Sequence, residues 1–220
     1  MNQKKKKERQ LRWTKLSAKL HELFPEQKTM LNYSNRWELV VAVTLSAQTT
    51  DKQVNKLTGV LFKKYITLDD YCNADLRIFE QDINSVNYYK SKARHILAAA
   101  KMLRDEFNRE VPSTLDQLMQ LPGVGRKTAN VVQCNGFGIA EGIAVDTHVR
   151  RFAIRYDLTD YDDPTKIEQD LLVIIPKGGW LHAAYYIIVY GRDIAPARRY
   201  DISIDPLVEI YPKAGEVFRV

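Results

Sequence analysis

The sequence predicts an all-α fold, and three observations predict it. Apolar residues recur at helical spacing along most of the 220 residues. No stretch shows the sustained polar–apolar alternation of a strand. Capping residues and short Pro/Gly breaks separate the periodic stretches. Residues 36–47, "RWELVVAVTLSA", are apolar almost all round, as in a central core helix. Residues 51–64 open on Asp51, a good N-cap, and place Val54, Leu57, Val60 and Leu61 on one face. Residues 90–107 place Ala93, Ile96, Leu97, Ala100, Leu103 and Phe107 at helical spacing. "VPSTLDQLMQL" reads as a proline, a Ser/Thr cap and a short helix over 114–120. A helix follows from Arg126, another holds Val149 to Arg155, and two more span 165–175 and 180–190 with "PKGG" between them.

Composition narrows the class. The chain is 45% apolar and 27% charged, as ordinary globular proteins are. Its longest apolar runs, near residue 41 and over 183–190, fall far short of the ~20 residues of a membrane helix. No apolar segment follows "KKKKERQLR", so the basic start is not a secretory signal. Cys72 and Cys134 are the only cysteines, which fits a reduced, cytoplasmic protein. The net charge of +6 sits wholly in residues 1–28, with nine Lys/Arg against three acids. The other 192 residues balance at 24 against 24. This arm, with Lys4, Lys5, Lys6 and Lys7, is either a solvated tail or a phosphate-binding extension.

"LPGVGRKTAN", Leu121 to Asn130, carries the chemistry. A helix ends, "PGVG" turns, and Arg126 opens a second helix: a helix–hairpin–helix. Gly123 and Gly125 can take positive φ and leave backbone N–H groups uncovered. With the positive end of the following helix they make an anion site, suited to a DNA phosphate and blind to sequence. The alternative is an ordinary tight turn between core helices. Nineteen residues after Lys127 comes "IAVDTHVRR". Asp146, on an apolar approach, is either the N-cap of the helix behind it or a working acid, and both roles can coexist. His148 is read as a helix-start residue that bonds Asp146 or a phosphate. Arg150, Arg151 and Arg155 are phosphate contacts or a solvated face. His21, His95 and His182 have no ligand spacing, so a zinc site is not expected. Trp13, Trp37 and Trp180 are read as core anchors.

"LPGVGRKTANVV" followed by "IAVDTH" resembles the endonuclease III family, the helix-hairpin-helix DNA glycosylase/AP lyases, and the likeness runs from about Asn32 to Arg192. "LSAQTTD", Leu45 to Asp51, resembles the family loop that enters DNA at the lesion, and "VNYYKSKA", Val86 to Ala93, its second DNA-facing turn. The resemblance implies base-excision repair on double-stranded DNA with damaged bases or abasic sites, by a monomer with no membrane partner. It makes Lys127 the nucleophile and Asp146 its assistant. Gln48 fills the gap left by an extruded base, and Tyr88 is the wedge. Asp51, Asn87, Gly123, Gly125, Arg126, Thr128 and His148 complete the expected DNA-facing set. It also implies two subdomains, 29–141 and 1–28 with 142–220, with DNA in the cleft between them. At position 87 the family commonly has glycine; Asn87 is the residue that best tolerates the left-handed region.

A larger departure concerns the cofactor. Many members end in a four-cysteine iron–sulfur loop; the corresponding positions here are Ala195, Ile202, Asp205 and Tyr211. Such a cluster needs four thiolates, so none is expected. Ile202, Leu207, Val208, Ile210, Tyr211 and Phe218 are expected to tie down the C-terminal segment by packing instead.

The expected chemistry follows from the lysine. A helix N-terminus and a desolvated pocket both favour the neutral amine that must attack C1′, while a nearby phosphate and Asp146 favour the charged form, so the sequence leaves the net shift open. Attack expels the base and leaves a Schiff base; loss of a C2′ proton then permits β-elimination of the 3′ phosphate. Oxidised pyrimidines are the expected lesions, with uracil or mismatched thymine as alternatives. A hairpin module that binds DNA without chemistry explains "LPGVGRK" but gives no role to Asp146 or "LSAQTTD".

Overall fold

The computed structural model describes residues 2–25, 29–198 and 200–216, and of Leu181 the backbone alone. Among the described residues every regular element is helical. The chain divides into two compact units, Thr29–Ile139 and Met1–Lys28 with Ala140–Val220. The boundary expected at 141/142 lies at 139/140. It follows a helix that ends at Phe137 on Gly138, which takes φ 66° as a left-handed C-cap.

The first unit holds α2 (Arg36–Ser46), α3 (Asp51–Lys64), α4 (Leu68–Cys72), α5 (Leu76–Asp82), α6 (Tyr89–Glu106), α7 (Leu115–Leu118) and α8 (Arg126–Phe137). α2 is its axis: residues 38–45 are all buried, as an all-round apolar sequence requires. Asn35 caps it, and α3, α6 and α8 pack on it. α3 starts where expected, but its cap is Thr50, whose hydroxyl accepts from the Gln53 amide. Asp51 is the first helical residue, where its charge still favours the helix N-terminus. α4 and α5 were not anticipated individually. Their Tyr71 and Phe79 stack edgewise on each other and around Tyr65.

The second unit holds α1 (Gln3–Leu23), α9 (Thr147–Arg155), α10 (Pro164–Ile174) and α11 (Trp180–Asp193). α1 packs on α10 and α11 through Trp13, Leu16 and Leu20. The arm is therefore not a tail. Arg9 is fully buried, bonding Asp157 Oδ1 at 2.8 Å and Asp160 Oδ1 at 2.9 Å. Arg12 bonds Asp157 Oδ2 at 3.0 Å and stacks on Tyr211, and Lys5 pairs with Asp160. Cations that read as surplus charge are spent on the turn after α9, where Asp157 takes φ 44°.

The C-terminal segment is held differently from expectation. Leu207 is buried, and Ile210 and Tyr211 pack on this core, but Ile202 is 38% exposed and Phe218 lies outside the described residues. The main tie is polar. Asp205 Oδ2 takes the hydroxyls of Tyr190 and Tyr200 at 2.5 Å and of Tyr156 at 3.1 Å, while Oδ1 accepts from the Leu207 amide. Burial, reinforced by this carboxylate, pushes all three phenols well up, so they stay protonated donors. Arg155 stacks 4.0 Å over the Tyr200 ring. Among the described residues no helix is long and apolar enough to cross a membrane.

Candidate active site

The hairpin is built as its sequence dictates in one glycine and differently in the other. Gly123 takes φ 80°, and a Cβ there would lie 2.7 Å from the Cβ of His95 on α6. Only glycine satisfies both conditions. Gly125 does not take positive φ; it has φ −84° and ψ 174°, open to any residue, and its Cβ position has nothing within 4 Å. Its role is what it omits. It is the N-cap of α8 and offers no side chain to the first turn. The amides of Lys127 and Thr128 in that turn have no intrahelical acceptors, so they stand available to an external anion at the helix's positive end.

Lys127 lies in that first turn and is exposed, as are Gly123, Gly125 and Arg126; Thr128 is half-buried. Its own unit does not desolvate Lys127, against the expectation of a desolvated pocket. The helix faces inward through Ala129, Asn130, Val132 and Gln133, which turns position 127 outward.

The two loops expected to face DNA meet. Gln48 is exposed, at φ 56°, just past the end of α2. Tyr88 is 65% exposed, at φ 57°, as the N-cap of α6. The left-handed residue of this second turn is thus Tyr88, not Asn87. Asn87 instead uses its side chain: its Nδ2 donates to Gln48 O at 2.6 Å and joins the two loops. Sequence reasoning missed the group beneath them. Lys92 of α6 is buried, and its Nζ donates to Leu45 O at 2.8 Å and Ala47 O at 2.7 Å. A lysine on a helix reads as solvated; the only available signal was its place one residue before the buried Ala93. Asp51 is half-buried at the start of α3.

Lys127 belongs to one unit and Asp146 to the other. Asp146 is the N-cap of α9; its Oδ1 accepts from the amides of His148 at 2.8 Å and Val149 at 2.9 Å. Both bonds use one oxygen, which leaves Oδ2 outside the cap. His148 is half-buried against Gly191 of α11, where a Cβ would come within 2.5 Å of its Nδ1. Arg151 Nη2 lies 3.1 Å from that Nδ1; a guanidinium only donates, so Nδ1 accepts. Burial lowers the His148 pKa against the pull of Asp146, with Arg151 and Arg192 adding to the depression. Its amide does bond Asp146, but its ring is held internally. Two of the arginines of this helix are neither phosphate contacts nor a solvated face: Arg151 also bonds Ala195 O and Gly191 O, and Arg155 is 2% exposed. Arg150 stays at the surface, paired with the exposed Asp162. The helix presents Arg151 and Arg155 inward because α11 and the C-terminal segment cover that face.

The three tryptophans behave as anchors: Trp13 is buried, Trp37 stacks edgewise on Tyr71, and Trp180 donates to Ile175 O. Burial raises both thiols, Cys134 to about 11, so neither is a reactive thiolate near neutral pH.

Residues 41–177 match the model of the HhH-GPD superfamily base excision DNA repair proteins. The chain is 40% identical over 188 residues to Endonuclease III of Synechocystis sp., covering 86% of each, and 43% identical to Endonuclease III of Bacillus subtilis, covering 79% and 80%. Among solved structures it resembles Endonuclease III in a non-covalent complex with DNA, at TM-score 0.89 and 40% identity, covering 94% of this chain and 97% of that one. It also resembles a trapped Endonuclease III–DNA covalent intermediate, at TM-score 0.86 and 42% identity, covering 92% and 95%.

Proposed function

The chain belongs to the endonuclease III family of base excision DNA repair proteins, and from that premise we propose how its own residues divide the work. Its activity is that of a DNA glycosylase and AP lyase acting on DNA. The observation that carries the site assignment is Lys127 in the first turn of α8, behind a cap that offers no side chain. A phosphate held on those amides brings the sugar beside it within reach of the lysine. The relative trapped covalently on DNA supports a nucleophile carried by the protein, and Lys127 is the one we assign.

Lys127 Nζ, as the neutral amine, bonds to C1′; the C1′–N bond breaks and the base leaves with its electrons and takes a proton. The ring opens to a Schiff base, a C2′ proton departs, and the 3′ phosphate is eliminated. Because Lys127 is exposed in the free protein, the burial that favours a neutral amine comes with the DNA. Asp146 stabilises the positive charge that develops on the sugar and moves the protons, using the oxygen its cap leaves over. Gln48 and Tyr88, both exposed on left-handed backbone, occupy the space of the extruded base and prop the stack, offsetting an extrusion cost of a few kcal/mol. Oxidised pyrimidines are the substrates we assign. Lys127→Gln abolishes borohydride trapping and strand nicking while DNA binding persists; a variant that still traps would remove Lys127 from the role. Asp146→Asn slows base removal in a folded protein.

We propose further that the protein works without an iron–sulfur cluster. The residues at the corresponding positions do not suit one: Ala195 is a buried methyl, Asp205 is engaged by three tyrosines, and Tyr211 stacks on Arg12. Protein prepared anaerobically should carry no stoichiometric iron and release no sulfide on acidification; finding both would refute this.

A further inference from the structure

α2 ends at Ser46, and the next three residues turn with Gln48 on left-handed backbone. Gln48 is not glycine, so that conformation is strained and persists only where its surroundings impose it. The surroundings are specific. From below, Lys92 Nζ donates to Leu45 O, to Ala47 O and, at 3.5 Å, to Thr49 Oγ1. An ammonium has three donors, and all three point into this one loop. From the side, Asn87 Nδ2 takes Gln48 O at 2.6 Å. Residues 45, 47, 48 and 49 are therefore held by two side chains six residues of sequence or fewer from one another, at the N-terminal end of α6.

The arrangement is more elaborate than a helix cap needs. Lys92 is 5% exposed, and among the described residues no carboxylate bonds it; its partners are carbonyl dipoles and a hydroxyl. A buried cation without a counter-ion is costly unless its hydrogen bonds are complete. Burial alone pushes its pKa down to about 8. Any movement of the loop away from Lys92 breaks those bonds, so the loop has one favoured position. That position presents Gln48 outward.

We propose that Lys92, seconded by Asn87, is a positioning residue for base extrusion: it holds the 45–49 loop so that Gln48 is already set to enter the duplex. It touches no substrate atom and acts through Gln48. The inference rests on the reading of Gln48 given under the proposed function. Preorganisation of this kind matters for the step in which a paired base leaves the stack, and much less where no base remains to be displaced.

Four variants test it: Lys92→Met, which keeps the stem and loses the donors, Asn87→Ala at an exposed position, Gln48→Ala, and Lys92→Met combined with Gln48→Ala. Single-turnover base excision from a lesion duplex and strand cleavage of a duplex with a ready-made abasic site are measured side by side, with amide exchange of residues 46–50 in the free protein. Lys92→Met should slow excision on the order of tenfold to a hundredfold. It should leave abasic-site cleavage within a factor of about two and speed exchange in the loop alone. Asn87→Ala should slow excision and speed loop exchange more weakly, and keeps the test decisive should Lys92→Met fail to fold. The double variant should be no slower than the slower single. Unchanged exchange, equal losses on both substrates, or additive losses in the double variant would each overturn the proposal. Wild-type excision by Gln48→Ala beside slow excision by Lys92→Met would show that the reading of Gln48 had failed while the clamp itself stood, and so would overturn the route through Gln48.

Discussion

At the scale of single residues, the two hairpin glycines have opposite physical roles, and substitution separates them. Gly123→Ala must place a Cβ at positive φ and against His95, costing roughly 2–4 kcal/mol of stability. Gly125→Asp meets neither obstacle. An Asp at an N-cap accepts from the first-turn amides and should stabilise the fold by a few tenths of a kcal/mol, at roughly 0.3–0.5. It should nonetheless weaken DNA binding about tenfold or more, since its carboxylate occupies the place of a phosphate. Thermal melts and binding titrations on both variants give the answer; a Gly125→Asp protein that binds DNA as tightly as the parent would show that this helix end meets no phosphate. The sequence marks both positions with the same letter. What distinguishes them is backbone conformation and the neighbour across the turn, and neither is written locally. The same limit hid Lys92: nothing in "YYKSKARH" says which of its cations faces the core.

At the scale of elements, the helices with a single apolar stripe or an all-round apolar sequence were legible. α2, α3, α6, α10 and α11 lie within a few residues of where periodicity puts them, and Asp146 caps α9. α1 was obscured because its buried face begins with an arginine: Arg9, Trp13, Leu16 and Leu20 form the stripe, and a buried guanidinium looks like solvated charge until Asp157 and Asp160 arrive from far along the chain. The C-terminal segment was obscured for the same reason. Its anchor is one carboxylate serving tyrosines at 156, 190 and 200, a convergence that local pattern cannot show. Asp205→Ala leaves those hydroxyls buried without their acceptor, which costs roughly 2–4 kcal/mol and lowers Tm by roughly 5–15 °C. Limited proteolysis should then cut first within residues 196–204. Asp205→Asn keeps one acceptor oxygen and should lose less. An Asp205→Ala protein with the parental Tm would mean that Leu207 and Ala214 hold the segment unaided.

At the scale of the whole molecule, net charge is a poor guide until the charges are assigned. The excess of +6 lies in residues 1–28, yet Lys5, Arg9 and Arg12 answer acids within their own unit. Lys4 and Lys7 are exposed and Lys6 half-buried on the same helix. These remaining cations can neutralise phosphates without disturbing the fold, and each phosphate neutralised contributes about 0.9 to the slope of log K against log salt. Truncating residues 2–9 would confuse the two groups, because it removes Arg9 with the lysines. Changing Lys4, Lys6 and Lys7 together to Gln keeps Arg9 and its ion pairs. That variant should melt with the parent and show a salt slope lower by roughly one to three units. Its loss of affinity should be equal on damaged and undamaged duplex, because phosphates carry no information about the lesion. Single-turnover excision on saturating DNA should not change, since Lys127 and Asp146 are untouched. Arg9→Gln should behave oppositely, lowering Tm by leaving Asp157 and Asp160 without their buried partner while the salt slope holds. Superimposable salt titrations of the parent and the triple variant would show that α1 meets no DNA, and that its lysines serve solubility alone.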